Sequence, residues 1–170
     1  MNKKTLKHIL SIMVDNEPGV LARVVGLFSG RGYNIESLSV SEVDSHKFLS
    51  RITVVTSGTK IIVDQIKAQL AKLIPVHNLI DITELKSFIG KELILIKLDV
   101  KNKKIFDLKK KLERLGAKIL KESDLELIVQ FTGSPDEVRK IDTILKPHKI
   151  IEKTRSGLVS MATGTDYIKK

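Results

Sequence analysis

The chain has 170 residues, 42% of them hydrophobic, no cysteine, and a formal net charge of +10. That length suits one large or two small domains, and the apolar share permits a sizeable core and excludes general disorder. Without cysteine there are no disulfides and no thiolate metal sites, which fits a reducing compartment. The basic start, Met1-Asn-Lys-Lys-Thr-Leu-Lys-His8, leads into an apolar run that Asp15 interrupts, too short for a signal-peptide core. No stretch is long enough to span a bilayer. The expectation is a soluble cytoplasmic protein that does not act at a membrane.

In chain order, Leu10, Ile12 and Val14 alternate as in a half-buried strand, and Asp15-Asn-Glu-Pro-Gly19 breaks it with turn residues. Val20, Leu21, Val24, Val25 and Phe28 then fall on one face at helical spacing, and Gly30-Arg31-Gly32 stops the helix. The N–H groups of Gly19, Val20 and Leu21 lie at the helix start, an end that favours an anion such as a carboxylate; Gly19 has no Cβ to hold a ligand away. A second strand is expected over 35–43, a hairpin turn over 44–47 and a third strand over 48–56. In that strand Phe48, Ile52 and Val54 share the core face, and Arg51 and Thr53 the polar one. Ile62, Ile66, Leu70 and Leu73 make a second helix, which Pro75 ends. A strand follows over 76–83, with Val76, Ile80 and Ile82 on one face.

The order βαββαβ recurs after a linker at 85–91. Strands are expected over 92–100, 117–122, 125–132 and 150–154, the last being the end of the regular structure. A lysine-rich helix stops at Gly116. Another starts at Ser134-Pro-Asp-Glu137, with a capping serine, proline at the first helical position and glutamate three residues after the cap. Val138, Ile141 and Leu145 supply its buried face. The tail after Gly157 has weak periodicity and is expected to order only against a partner. The fold class is therefore α+β, two tandem ferredoxin-like βαββαβ modules with both helices on one face of each antiparallel sheet.

Asn16-Glu-Pro-Gly-Val-Leu21 followed by Arg31-Gly-Tyr-Asn-Ile-Glu-Ser-Leu38 resembles the ACT domain, and within it the regulatory small subunit of acetolactate synthase. The resemblance resumes at Thr132-Gly-Ser-Pro-Asp136 and Thr154-Arg-Ser-Gly157, and so covers nearly the whole chain. It implies that residues 1–84 are an ACT domain for effector sensing and dimerisation, and that 92–170 contribute to activating a catalytic subunit. It implies an effector site of Asn16, Gly19, Val20, Leu21, Asn34 and Ile35, lying between two ACT domains of a homodimer. The effector is a branched-chain amino acid, valine first. Asn16 and Asn34 offer amides to its carboxylate and ammonium groups, and Val20 and Ile35 an apolar wall. Without the matched block, Asn16 would cap the helix and Gly19 and Asn34 would serve turns; Asn16 can do both. Thiamine diphosphate, Mg and FAD belong to the partner catalytic subunit; this chain needs no cofactor or metal. Met161-Ala-Thr-Gly164 stands where a more basic ending is expected. A fragment ending near Glu84 is expected to fold and to keep effector binding.

A catalytic site does not assemble from these residues. His8, His46, His77 and His148 fall at strand edges or turns, away from metal-ligand spacing, and read as surface residues. No nucleophile elbow, Walker loop or dinucleotide fingerprint is present, and Asp15 and Glu17 sit in an open polar loop. The charge is uneven: residues 1–84 carry 10 Lys+Arg against 8 Asp+Glu, and residues 85–170 carry 20 against 12. The basic run 101–111 shares its helical segment with the stripe Ile105, Leu108, Leu112 and Leu115, so it reads as a solvated helix face. Lysine outnumbers arginine 24 to 6 and aromatics are only 4%, which argues against a nucleic-acid partner, since base stacking needs aromatics on central strands. The other reading left open is a free-standing ACT-domain sensor acting on a different target.

Overall fold

A computed structural model describes residues 5–100, 105–165 and 168. The chain divides into two compact units, Met1–Ile89 with Leu158–Lys170, and Gly90–Gly157.

In the first unit, β1 (Leu6–Asp15), α1 (Val20–Ser29), β2 (Ser37–Asp44), β3 (Leu49–Gly58), α2 (Lys60–Leu70) and β4 (Val76–Asp81) follow the expected βαββαβ order. The antiparallel sheet has the order β2-β3-β1-β4, so β2 and β4 are its edges. Leu10, Ile12 and Val14 of β1 and Ile52 and Val54 of β3 meet Val20, Val24, Leu27 and Phe28 of α1 and Val63, Ile66 and Leu70 of α2 in one core. Each such side chain contributes about 1.5–3 kcal/mol when fully buried. The buried face of α1 differs from the expected one: Leu27 replaces Leu21, which is exposed, and Val25 is half-buried. A helix tolerates apolar residues at the margin of its stripe, and periodicity alone does not choose between neighbours there.

Three further positions correct the sequence reading. Phe48 precedes β3 in the turn, at φ 50 and 67% exposed, so it does not extend the core face. The positive φ takes Phe48 out of the extended conformation, so the two-residue alternation of β3 does not carry from Ile52 back to it. A second shift between Met13 and Val14 separates β4 from simple alternation. Val76 and Leu79 consequently pack with the helices, whereas Ile80 and Ile82 lie on the opposite face. His8 is buried, with Nδ1 2.6 Å from Asp81 Oδ2; Asp81 Oδ1 also accepts from the N–H of Thr83, fixing the short 3₁₀ turn Ile82–Glu84.

The opposite face of this sheet is covered by the chain's last segment. Leu158 packs with Ile9, Val55 and Ile82, and Ile168 with Met13 and Leu49. The Leu158 N–H donates to Ser37 Oγ at 3.1 Å. β9 (Val159–Ala162) follows, and the Thr163 N–H donates to the Ser87 carbonyl. Leu158, Thr163 and Ile168 are thus held against their own chain. Residues 158–170 group with the first unit, where the sequence reading put 92–170 together.

The second unit repeats the order with β5 (Phe88–Asp99), α3 (Ile105–Arg114), β6 (Lys118–Glu122), β7 (Glu126–Gly133), α4 (Pro135–Leu145) and β8 (Ile150–Arg155), in the sheet order β6-β7-β5-β8. Ile94, Ile96, Leu98, Leu127, Val129 and Phe131 from the sheet meet Leu108, Leu112, Val138, Ile141 and Leu145 from the helices. Leu115 is exposed, beyond the end of α3, and residues 101–104 of the basic run lie outside the described residues.

The α4 start is as expected. Ser134 Oγ accepts from the Glu137 N–H at 3.3 Å, and Glu137 Oε2 accepts from the Ser134 N–H at 2.6 Å. These bonds and Lys91, 2.9 Å away, hold the Glu137 carboxyl down to about 2. Because the folded value is depressed, the stabilisation from this group is complete above the unfolded carboxyl value and declines as pH falls towards about 2. Ser134→Ala should cost about 1 kcal/mol. Urea melts at neutral pH check this: the variant's midpoint should fall while the slope stays constant.

Candidate effector site

The loop between β1 and α1 carries Asn16 and Gly19. Gly19 is the helix N-cap at φ 84, a left-handed conformation that costs other residues about 1–2 kcal/mol. No side chain caps this end and no acidic residue lies in the first turn. The first N–H groups of a helix lack intrahelical acceptors, and the macrodipole adds partial positive charge there. A Cβ built on Gly19 meets nothing within 4 Å, so the approach is open. The sequence offered Asn16 as a helix cap; instead its Nδ2 donates to Glu42 Oε2 at 2.6 Å, and its backbone N–H donates to the Phe48 carbonyl. Glu42 was missed because the two residues meet only when the β2–β3 hairpin folds back beside the loop.

Val20 and Leu21 begin α1 with opposite exposures. Val20 is buried in the core, so only its backbone faces the loop, while Leu21 is exposed. Asn34 and Ile35 sit in the loop between α1 and β2. The Asn34 carbonyl accepts from Thr56 Oγ1 at 2.7 Å, its side chain is exposed, and Ile35 is half-buried against the core. Beside them, Glu36 accepts from Lys7 at 2.8 Å and from Ser57; the Lys7 bond first, then Ser57, holds its carboxyl below the usual range.

The six residues therefore form two groups within one chain. Asn16, Gly19, Val20 and Leu21 lie at the Phe48 end of β3, and Asn34 and Ile35 at the Thr56 end. Eight residues of extended strand span roughly 25 Å. The chain does not bring the groups together. Between them runs β2, an edge strand with Val40 and Val43 exposed. Among the described residues no cluster of three or more His, Asp or Glu side chains could hold a metal ion, and no helix is long and apolar enough to cross a membrane.

A βαββαβ unit with a glycine-started first helix, followed by a second unit of the same order, defines a protein of two ferredoxin-like units. The family model described as the AHAS small subunit-like ACT domain matches residues 10–78, and that for the small subunit of acetolactate synthase matches residues 91–164. The acetolactate synthase small subunit of Buchnera aphidicola subsp. Schizaphis graminum is 38% identical over 94% of this chain and 100% of its own. The probable small subunit of Archaeoglobus fulgidus is 37% identical over 94% and 98%. The crystal structure of the Thermotoga maritima small subunit superposes with a TM-score of 0.85 at 30% identity, covering 95% of this chain and 99% of that one. The chain belongs to the acetolactate synthase small-subunit family.

Proposed function

We propose that this chain is a regulatory subunit that activates a thiamine-diphosphate-dependent acetolactate synthase catalytic subunit and makes it sensitive to a branched-chain amino acid, valine first. Catalysis and the cofactors thiamine diphosphate, Mg and FAD belong to that partner. The observation that carries this reading is the separation of the two groups of effector residues along β2. A second copy pairing antiparallel through β2 reverses direction across a two-fold axis. That pairing sets Asn16, Gly19 and Leu21 of one protomer against Asn34 and Ile35 of its partner. The effector carboxylate then meets the N–H groups at Gly19 and Val20, its ammonium the amide oxygen of Asn34, and its branched side chain Leu21 and Ile35. An effector bound across the two-fold favours one dimer arrangement by its differential affinity, which is the coupling that reaches the catalytic subunit.

The test is reconstitution with a catalytic subunit, assayed with and without valine, beside calorimetry and sedimentation of this chain alone. Stimulation, inhibition by valine and a dimer at micromolar concentration are expected. Asn34→Ala should weaken inhibition about tenfold by removing one polar contact to a charged ligand, and leave activation intact. If the chain neither stimulates the synthase nor takes up a branched-chain amino acid, the free-standing sensor replaces this reading.

A further inference from the structure

On the side of the first unit's sheet away from its helices, a cavity of about 290 Å³ lies between the strands and Ser160, Gly164 and Ile168. Its polar lining is Ser11 of β1, Arg51 of β3 and Ser160 of β9; Ile80, Ile82 and Ile168 supply apolar wall. Ser11 is 0% exposed and Ser160 2% exposed, and neither hydroxyl has a hydrogen-bond partner among the described residues. The Arg51 Nε is likewise buried without a partner, and burial pushes the guanidinium below its ordinary value. Left unsatisfied, each such buried polar group costs about 1–3 kcal/mol, so this half-buried arginine and the two hydroxyls call for a polar occupant of the cavity.

The geometry points to a binding site for a short-chain monocarboxylate, held by Arg51 and the hydroxyls of Ser11 and Ser160, with its apolar part against Ile80, Ile82 and Ile168. Guanidinium matches a carboxylate through two parallel N–H donors, and each serine hydroxyl can donate to a remaining lone pair. The described residues that line the cavity include no carboxylate. No described lining residue would compensate a buried ammonium group, which favours a carboxylate without one. Inorganic phosphate would waste the apolar walls. The volume suits a small molecule, near the lower limit of ligand pockets. This site is separate from the loop at Gly19, and its test does not depend on the effector reading.

The probe is isobutyrate, titrated calorimetrically into the full chain up to on the order of 10 mM, with valine and phosphate as parallel arms. Isobutyrate should bind the wild type and raise its melting temperature. Arg51→Met should abolish that shift and melt no lower than the unliganded wild type, because a half-buried guanidinium with an unpartnered Nε is removed. Arg51→Lys keeps the charge without the fork and should bind about tenfold more weakly; it carries the test if the methionine variant fails to fold. Valine binding should be unchanged in either variant. Isobutyrate binding that is absent in the wild type, or equal in the wild type and the variants, overturns the site. Phosphate binding as tight as isobutyrate overturns the ligand class.

Discussion

Gly19→Asp is expected to leave the synthase activated and to raise the valine concentration for half-inhibition roughly hundredfold, the loss of one or two charge-assisted hydrogen bonds plus the repulsion of two carboxylates. Two structural facts separate this from misfolding. A Cβ at position 19 meets no atom within 4 Å, and the loop around it is exposed. The remaining penalty is backbone strain at φ 84, which aspartate tolerates better than most residues. Gly19→Ala is the control: it carries the strain without the charge, and should shift inhibition far less. Equal shifts in both variants would assign the effect to the backbone and remove the carboxylate from this helix end. Both variants should keep a cooperative melt, with midpoints lowered only by the backbone strain of about 1–2 kcal/mol or less.

Leu158→Ala should be the most destabilising single truncation outside the helix-facing cores. Leu158 fills a buried cluster with Ile9, Val55 and Ile82, and deleting its side chain leaves a cavity between strands that are held by their other face. Such substitutions cost about 2–5 kcal/mol. For a unit of this size that lowers the melting midpoint by roughly 10–20 °C. A chain cut near Glu84 loses Leu158 and Ile168 together and opens the sheet's second face, including Met13 and Leu49. It is expected to aggregate, where the sequence suggested a self-sufficient domain. A cooperative melt of that fragment at the wild-type midpoint would show that the covering segment contributes little. Leu115→Ala, on an exposed residue just past the end of α3, should change stability by less than about 0.5 kcal/mol.

The order of elements, the two tandem modules and the start of α4 were legible from the amino-acid sequence because their signals are local. Alternation in Leu10, Ile12 and Val14 reports a strand within five residues, and Ser134-Pro-Asp-Glu137 states a helix start within four. The block Asn16–Leu21 with Arg31–Leu38 likewise led to the family, since it is a contiguous run of chain. Tertiary structure alone decided what lies on the other side. Arg51 and Thr53 read as a solvent face, yet Thr53 is buried and Arg51 lines a cavity, because residues more than a hundred positions later fold over them. Periodicity shows that a strand has two faces; it does not show what covers the second one. His8 was read as a surface residue for the same reason: its partner Asp81 lies 73 positions away. The separation of Asn16 and Gly19 from Asn34 and Ile35 is equally invisible in a motif that prints them within twenty residues. Only the antiparallel path of α1 and β2 sets them at opposite ends of the sheet, because a helix and the strand after it reverse the chain's direction and leave their connecting loop far from their starting one.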